Sequence, residues 1–367
     1  MTSVLSTQTI GFNSPLHPQR AAAVATPSPP VATVDDRSVL HVLRDVKFPF
    51  VLQSSRATYI AYEHLASGNG GYIFRIDVCF VAKLVPFMEL SGDETFILTQ
   101  VHNPHLLHAI DHGIVKLSTA PSSTAPSSPY FYFFILPCMS ATLQYLPMHT
   151  VSFAQRIQWI RQLYCGLRAL HLHKHVHGDI HPKNVLLSPR NEMVWCDFNL
   201  SYGYDEPLTQ TYQISTPPYC SPLSLLNNGY ITDVDEQRLL LTHIGEKVED
   251  RKHEKCDIFA FGQLCTYLLT SSTCNNTSFL CGKNLVDVRG YIANTFAFAK
   301  EGDQYLVTYI SKCFELLHLH AQIQQYLTCF PSSTLCVSSL FSLLRDSLRL
   351  RQADRASLLQ FEFVLGW

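Results

Sequence analysis

The stretch His177-Gly-Asp-Ile-His-Pro-Lys-Asn184 places a carboxylate, Asp179, five positions before an amide, Asn184. A second carboxylate, Asp197, follows eighteen positions after Asp179 and opens Asp197-Phe-Asn199. Phosphoryl transfer needs this combination. One carboxylate orients the attacking hydroxyl, while an amide oxygen and a second carboxylate hold Mg²⁺ on the phosphates. Each residue alone is ordinary loop chemistry, because Asp, Asn and His all favour turns. The set at this spacing is what points to phosphate.

Such residues need elements to hold them. Val185–Leu187 and Met193–Cys196 read as short strands on either side of a turn, directly after the loop. Before it, Phe153, Ile157, Ile160, Leu163, Leu167 and Leu170 recur at helical spacing, and Ser152 with Gln155 forms a capping-box signature at the helix start. Further upstream the period is two. Tyr72–Ile76 and Val78–Leu84 read as a hairpin split at Asp77, and Tyr130–Leu136 as a buried strand. Just before the hairpin, Leu65-Ala-Ser-Gly68-Asn-Gly70-Gly71-Tyr-Ile73 is glycine-rich, which lets a backbone approach phosphates and offer N–H donors. Glycine-rich hairpin turns are also common without a ligand. Ten positions on stands Val81-Ala82-Lys83, whose lysine is either a phosphate ligand or a surface strand residue.

Taken together these motifs resemble the protein kinase superfamily over residues 60–345. The resemblance implies an α+β, bilobal protein-kinase-like fold with a small β-rich N-lobe and a larger helical C-lobe. It implies Asp179 as catalytic base, Asn184 and Asp197 as Mg²⁺ ligands, and ATP between the lobes. His177 resembles the histidine that opens the catalytic loop, with Phe198 stacking near it, and Leu170-His171 matches the approach to that loop. Ala66, Gly68, Gly70 and Gly71 fall in the phosphate-covering loop, Ala66 standing in for its first glycine. Ile73 and Ala82 are the implied adenine-packing positions, with Leu186 on the other side, and Lys83 is the implied grip on the α/β-phosphates. Glu94, followed by Ile97-Leu98 and His102-Asn-Pro-His-Leu106, resembles the lysine's partner helix; Glu89 is the alternative. Ile135-Leu136-Pro137-Cys138-Met139 resembles the hinge. Pro137 has no N–H, so Cys138 is the implied adenine donor. Thr216-Pro-Pro-Tyr-Cys-Ser-Pro222 resembles the end of an activation segment that favours Ser/Thr substrates. Asp257-Ile-Phe-Ala-Phe-Gly262 resembles the helix that anchors the catalytic loop, and Asp257 also reads as a simple helix N-cap.

Several positions depart from the family pattern. Gly178 replaces the arginine that binds a phosphorylated activation segment, which implies activity without phosphorylation of Thr209, Thr211 or Thr216. His181 replaces the lysine that reaches the γ-phosphate. Lys183 lies two positions on and could restore that charge, and His181 would make the rate depend on pH near neutrality. Asn199 replaces a glycine and is expected to take its left-handed backbone. Leu223 replaces an ion-pairing glutamate, and the long gap to Asp257 implies a solvated insertion at about 229–254.

The loop also resembles that of aminoglycoside and choline phosphotransferases, so a small-molecule kinase is a second reading, and a pseudokinase scaffold a third. A catalytic loop with isoleucine, proline and no lysine, together with a hinge proline, also resembles the divergent kinases of herpesviruses. Composition sets outer bounds. Net charge is −2 and charged residues are 15%, below the usual ~25%. This argues against broad nucleic-acid or membrane electrostatics, and no apolar run reaches membrane-spanning length. Twelve cysteines without a C-x-x-C pair, and no signal-peptide pattern, read as reduced thiols in an intracellular protein of the cytoplasm or nucleus, of a host cell if viral. The partners implied are ATP and proteins bearing Ser/Thr acceptors; composition leaves the oligomeric state open. The expected divisions are a disordered Ser/Thr/Pro/Ala-rich tail at 1–36, an N-lobe to hinge at 37–139 with a loop at 118–128, a C-lobe at 140–348 and a C-terminal extension at 349–367.

Overall fold

The computed structural model describes residues 48–68, 70–117, 130–205, 233–244, 253–270, 319–331, 333, 335–349 and 351–366, and positions 304, 307, 308 and 311. The tail 1–36, the loop 118–128, Thr209, Thr211, the 216–222 motif, Leu223 and parts of the 229–254 segment lie outside the described residues.

The chain divides into two compact units, an α+β arrangement. The first is residues up to Ser91 together with Ala109–Cys138. Strands β1 (Phe50–Gln53) and β2 (Thr58–Ala61) form an antiparallel ribbon. Strands β3 (Glu63–Gly68), β4 (Gly71–Arg75), β5 (Phe80–Pro86), β6 (Asp111–Lys116) and β7 (Tyr130–Pro137) form a sheet in the order β3-β4-β5-β7-β6. The expected hairpin is β4–β5. Its turn is held by Asp77, whose carboxylate accepts from the N–H groups of Cys79 and Phe80 at 2.7 Å each, the side-chain mimicry of a backbone turn that Asp favours.

Period-two alternation decides which faces are used. Ala82 and Leu84 of β5, with Phe131, Phe133 and Ile135 of β7, enter an apolar core with Phe50, Leu52 and Phe74. Phe50 meets Phe74 edge-on at 5.2 Å. Lys83 therefore projects to the opposite face, in register with Ile73 on one side and Phe134 on the other. At the rim, the buried Asp111 carboxylate accepts from Tyr59 Oη at 2.8 Å and from Ser54 Oγ.

The second unit is Gly92–His108 together with everything from Met139. Helix α1 (Gly92–Gln100), expected with the small lobe, thus belongs to the larger unit. Its core is built around helix α2 (Phe153–Leu172), which buries Ile157, Ile160, Leu163, Leu167 and Leu170 as their spacing predicts. Ser152 caps it by accepting from Gln155 N–H at 3.2 Å. The Gln155 side chain, expected to complete a capping box, accepts from Asn191 Nδ2 at 3.2 Å. Short strands β8 (Ala141–Thr142), β10 (Val185–Leu187) and β11 (Met193–Trp195) form one sheet, and β9 (His175–Val176) pairs with β12 (Tyr202–Gly203). Helices α3 (Val234–Ile244), α4 (His253–Thr270), α5 (Leu319–Cys329), α6 (Val337–Ser347) and α7 (Leu358–Leu365) follow. Arg156 is buried and ties α2 to the end of α4, donating to the carbonyls of Leu268 and Leu269 at 3.3 and 3.1 Å. The 349–367 segment is integral to this unit. Tyr164 Oη donates to Glu362 at 3.0 Å, and Phe361 packs against Phe261 with ring centroids 5.0 Å apart and tilted by 42°.

Strand β3 ends and β4 begins on the paired residues Gly68 and Gly71. At Gly71 φ is +118°, and a Cβ would lie 2.5 Å from the Leu84 carbonyl oxygen, whereas nothing lies within 4 Å of a Cβ at Gly68. Gly71→Ala is therefore expected to lower unfolding free energy by about 1–3 kcal/mol. Gly68→Ala should stay within about 0.5 kcal/mol of the parent. Urea denaturation of both variants checks this contrast.

Candidate active site

The loop 177–184 is suspended from one buried carboxylate. Asp257, near the start of α4, accepts from the backbone N–H of His177 at 2.8 Å, from that of Gly178 at 3.1 Å, and from His171 Nε2 at 2.9 Å. The helix begins at His253, so Asp257 lies four positions inside it and the simple N-cap reading fails; its carboxylate instead holds the loop. His171, noted in the sequence only for its spacing, proves to be a ligand of this anchor.

Gly178 explains itself sterically. Its φ is +78°, and a Cβ would sit 2.3 Å from the Leu200 carbonyl oxygen. The backbone here has no room for any side chain, so the missing arginine follows from how the loop packs on the segment after Asp197.

His177 is fully buried, 5.1 Å from the Trp195 ring and 5.3 Å from Phe198, as the resemblance implied for Phe198. Its Nδ1 accepts from the Asp179 N–H at 3.3 Å, which places the ring proton on Nε2. Burial depresses its basicity and outweighs the opposing pull of Asp257, Asp179 and Asp197, so it stays neutral. Its carbonyl accepts from Ser201 Oγ at 2.9 Å, a contact with no signal in the sequence.

Asp179 gathers the loop's polar groups. Its Oδ2 accepts from Asn184 Nδ2 at 2.8 Å and from His181 Nε2 at 3.1 Å. His181 Nδ1 accepts from the Lys183 N–H at 3.2 Å, so the proton on this ring is the one given to Asp179. His181 therefore braces the carboxylate, and the Lys183 side chain is exposed. Pro182 starts the short 3-10 turn Pro182–Asn184, a position where its absent N–H costs nothing.

The two expected metal ligands are brought together by one backbone bond. The Cys196 N–H donates to the Asn184 carbonyl at 3.0 Å, which sets Asp197 beside the loop. Asn184 Nδ2 also donates to the Asp179 carbonyl at 2.9 Å. With its nitrogen committed, Asn184 offers a hard cation its amide oxygen, the atom Mg²⁺ prefers. Asp197 has φ of +60°, strained for a residue with a side chain, and strain of this kind concentrates at functional sites. The left-handed residue was expected at Asn199. Asn199 is absent from the positive-φ residues; the reversal falls two positions earlier, and Asn199 Oδ1 is buried without a partner.

In the first unit, Ala66 pairs with Ile73 and Ile73 with Lys83; Gly70 forms the turn between Gly68 and Gly71. Ala82 is buried in the sheet between Phe74 and Ile135, and Leu136 pairs with Val81. The Cys138 N–H, the implied adenine donor, donates to the Cys79 carbonyl at 2.6 Å in this structure. In the second unit Leu186 lies in the β8-β10-β11 sheet, and Glu94 is buried on α1, whereas Glu89 is exposed in a 3-10 turn.

Asp257→Ala should leave three buried donors without their acceptor and cost about 3–5 kcal/mol of stability. Chemical denaturation monitored by tryptophan fluorescence measures it, and a loss under about 1 kcal/mol would contradict the anchoring role.

The sequence model of the protein kinase domain matches residues 94–236, a stretch that starts after the glycine-rich hairpin and Lys83. Among curated proteins, the chain is 40% identical over 76 residues to the serine/threonine protein kinase ypkA of Aspergillus fumigatus, covering 20% of this chain and 12% of that protein. It is 25% identical over 187 residues to the CTD kinase subunit alpha of Saccharomyces cerevisiae, covering 50% and 35%. It is 32% identical over 90 residues to the cyclin-dependent kinase 4 of Xenopus laevis, covering 24% and 27%. The aligned stretch spans from about a tenth to about a third of these relatives' lengths. Among the described residues, no helix is long and apolar enough to cross a membrane. The kinase-domain match runs through Asp179, Asn184 and Asp197, and over residues 94–236 the chain is similar to protein kinases.

Proposed function

We propose that the chain is a protein kinase that transfers the γ-phosphate of Mg-ATP to serine or threonine hydroxyls. The observation that carries this is the state of Asp179. Its Oδ2 is held by Asn184 and His181, and the same Asn184 is bonded through its carbonyl to the residue preceding Asp197. A base and two oxygen ligands are thereby fixed relative to one another, and positioning with charge neutralisation is most of what phosphoryl transfer asks of a protein.

In this reading Asp179 orients the acceptor hydroxyl, and Asn184 and Asp197 hold Mg²⁺. The metal, bound through these oxygens and the phosphates, neutralises charge on the transferring group. Lys83 supplies a fixed cation to the α/β-phosphates, with Glu94 as the carboxylate its ammonium requires. Glu94's burial on a helix favours it over the exposed Glu89. Gly68, Gly70 and Gly71 present backbone N–H groups, and the Cys138 N–H reaches adenine only by exchanging its bond to Cys79.

The small-molecule phosphotransferase reading rests on the resemblance of the His177–Asn184 loop to that of aminoglycoside and choline phosphotransferases. Incubation with labelled ATP, Mg²⁺, generic protein acceptors and, separately, aminoglycosides and choline distinguishes the two, with Lys83→Met as control. Label on serine and threonine is expected; label confined to small alcohols would favour the second reading, and no nucleotide binding a scaffold. Asp179→Asn should bind ATP normally and lower turnover by about 10²–10⁴-fold. Phosphatase-treated protein should keep its activity, because position 178 cannot carry a phosphate-binding arginine; abolished activity after treatment would refute that.

A further inference from the structure

The histidine two positions before the catalytic loop has a hydrogen-bonding pattern that defines its charge. His175 Nδ1 lies 2.8 Å from the His173 carbonyl oxygen, and His175 Nε2 lies 2.9 Å from Asp93 Oδ1. A carbonyl can only accept, and so can an ionised carboxylate. Both ring nitrogens must donate, which only the imidazolium can do. Asp93 sits in the first turn of α1, next to Glu94. One turn of α1 further on, Phe96 stacks on the His175 ring at 5.0 Å with 18° between planes, and it meets His173 edge-on at 6.4 Å. Lys174 takes a left-handed φ of 62° between the two histidines.

We propose that His175 is a positioning residue: its imidazolium clamps α1 to β9 and thereby fixes Glu94. The consequence for catalysis rests on the kinase reading; the clamp itself does not. Several described groups stand around the ring. From α1 come Asp93 and Phe96, with Glu94 adjacent in the helix. From the turn between α2 and the ring's strand come His173 and Lys174, the latter with its ammonium 5.7 Å from the Tyr204 ring centroid. From β12 and beyond come Gly203, where a Cβ would be 3.9 Å from Asp93 Oδ1 and 4.0 Å from His175 Nε2, and Tyr204. From α4, Asp257 is engaged by His171. The carboxylate facing the ring is therefore Asp93. Both side chains are sheltered, His175 at 14% and Asp93 at 23% exposure, so water screens the pair less than at an open surface.

The direction with pH follows. Two acceptors on the ring call for two N–H donors, so the clamp is complete with the imidazolium and loses one hydrogen bond as rising pH removes a proton. A neutral ring has one N–H for two acceptors.

Amide exchange along α1, expressed as protection relative to intrinsic rates, reads the clamp directly at pH ~6 and ~8. In the parent protein protection should fall about tenfold between these values. His175→Gln, which like the neutral ring has a donor and an acceptor, should show the low protection at both. His175→Arg, a permanent cation with several donors, should restore high protection at both. The kcat of phosphotransfer in the parent should fall over the same interval, while His175→Arg removes that fall. Protection in the parent that is the same at both pH values, or is unchanged by His175→Gln, would overturn the clamp. The expected protection pattern without any phosphotransfer would support the clamp and overturn the kinase reading instead.

Discussion

A buried carboxylate cannot be left without donors, and the oxygens of Asp257 accept from the backbone of the loop that holds Asp179 and Asn184. Two consecutive N–H groups, at His177 and Gly178, have nowhere else to go once the loop leaves β9. Their capture sets the turn from which Asp179 projects. From there the dependence runs outward. Asp179 collects Asn184 and His181, Asn184 collects the strand end at Cys196, and that strand end delivers Asp197. Few of these bonds exceed ordinary strength, but each leaves its neighbour one arrangement, and the low local dielectric makes an unmet group costly. The same helix that supplies Asp257 is held at its far end by Arg156, so the anchor is itself anchored.

Departures from the family pattern acquire physical reasons in this frame. Gly178 sits where the backbone turns left-handed against the Leu200 carbonyl, and a side chain of any chemistry is excluded. His181 keeps a neutral ring nitrogen toward Lys183 and gives its proton to Asp179. The strained backbone of Asp197 fits the same frame, since strain persists only where surrounding contacts over-determine it.

The first unit works by a simpler rule. Alternation along β5 sends Ala82 and Leu84 into an aromatic core and leaves Lys83 on the other face, still 92% covered. Phe131 and Phe133 of β7 share that core, while Phe134 pairs in register with Lys83. In the second unit, helix α1 carries the buried Glu94, and its attachment there runs through side chains at its first turns, Asp93 and Phe96.

Period and spacing alone indicated the element types: the β4–β5 hairpin with its Asp77 turn, the strand at β7, the face of α2, and the short strands β10 and β11 after the 177–184 loop. These are local properties, dictated by side-chain alternation and by the short reach of the chain between them. Other features were illegible because they depend on partners distant in sequence. Whether residue 197 or 199 bears the left-handed backbone is decided by packing on the catalytic loop. Whether Cys138 has its N–H to spare is decided by the strand end at Cys79, and whether Gln155 caps its helix is decided by Asn191. The union of α1 with the larger unit, and the charge on His175, likewise arise from side chains about eighty residues apart. Hydrogen-bond satisfaction in a packed interior is a global condition, and no window of sequence contains both ends of such a bond.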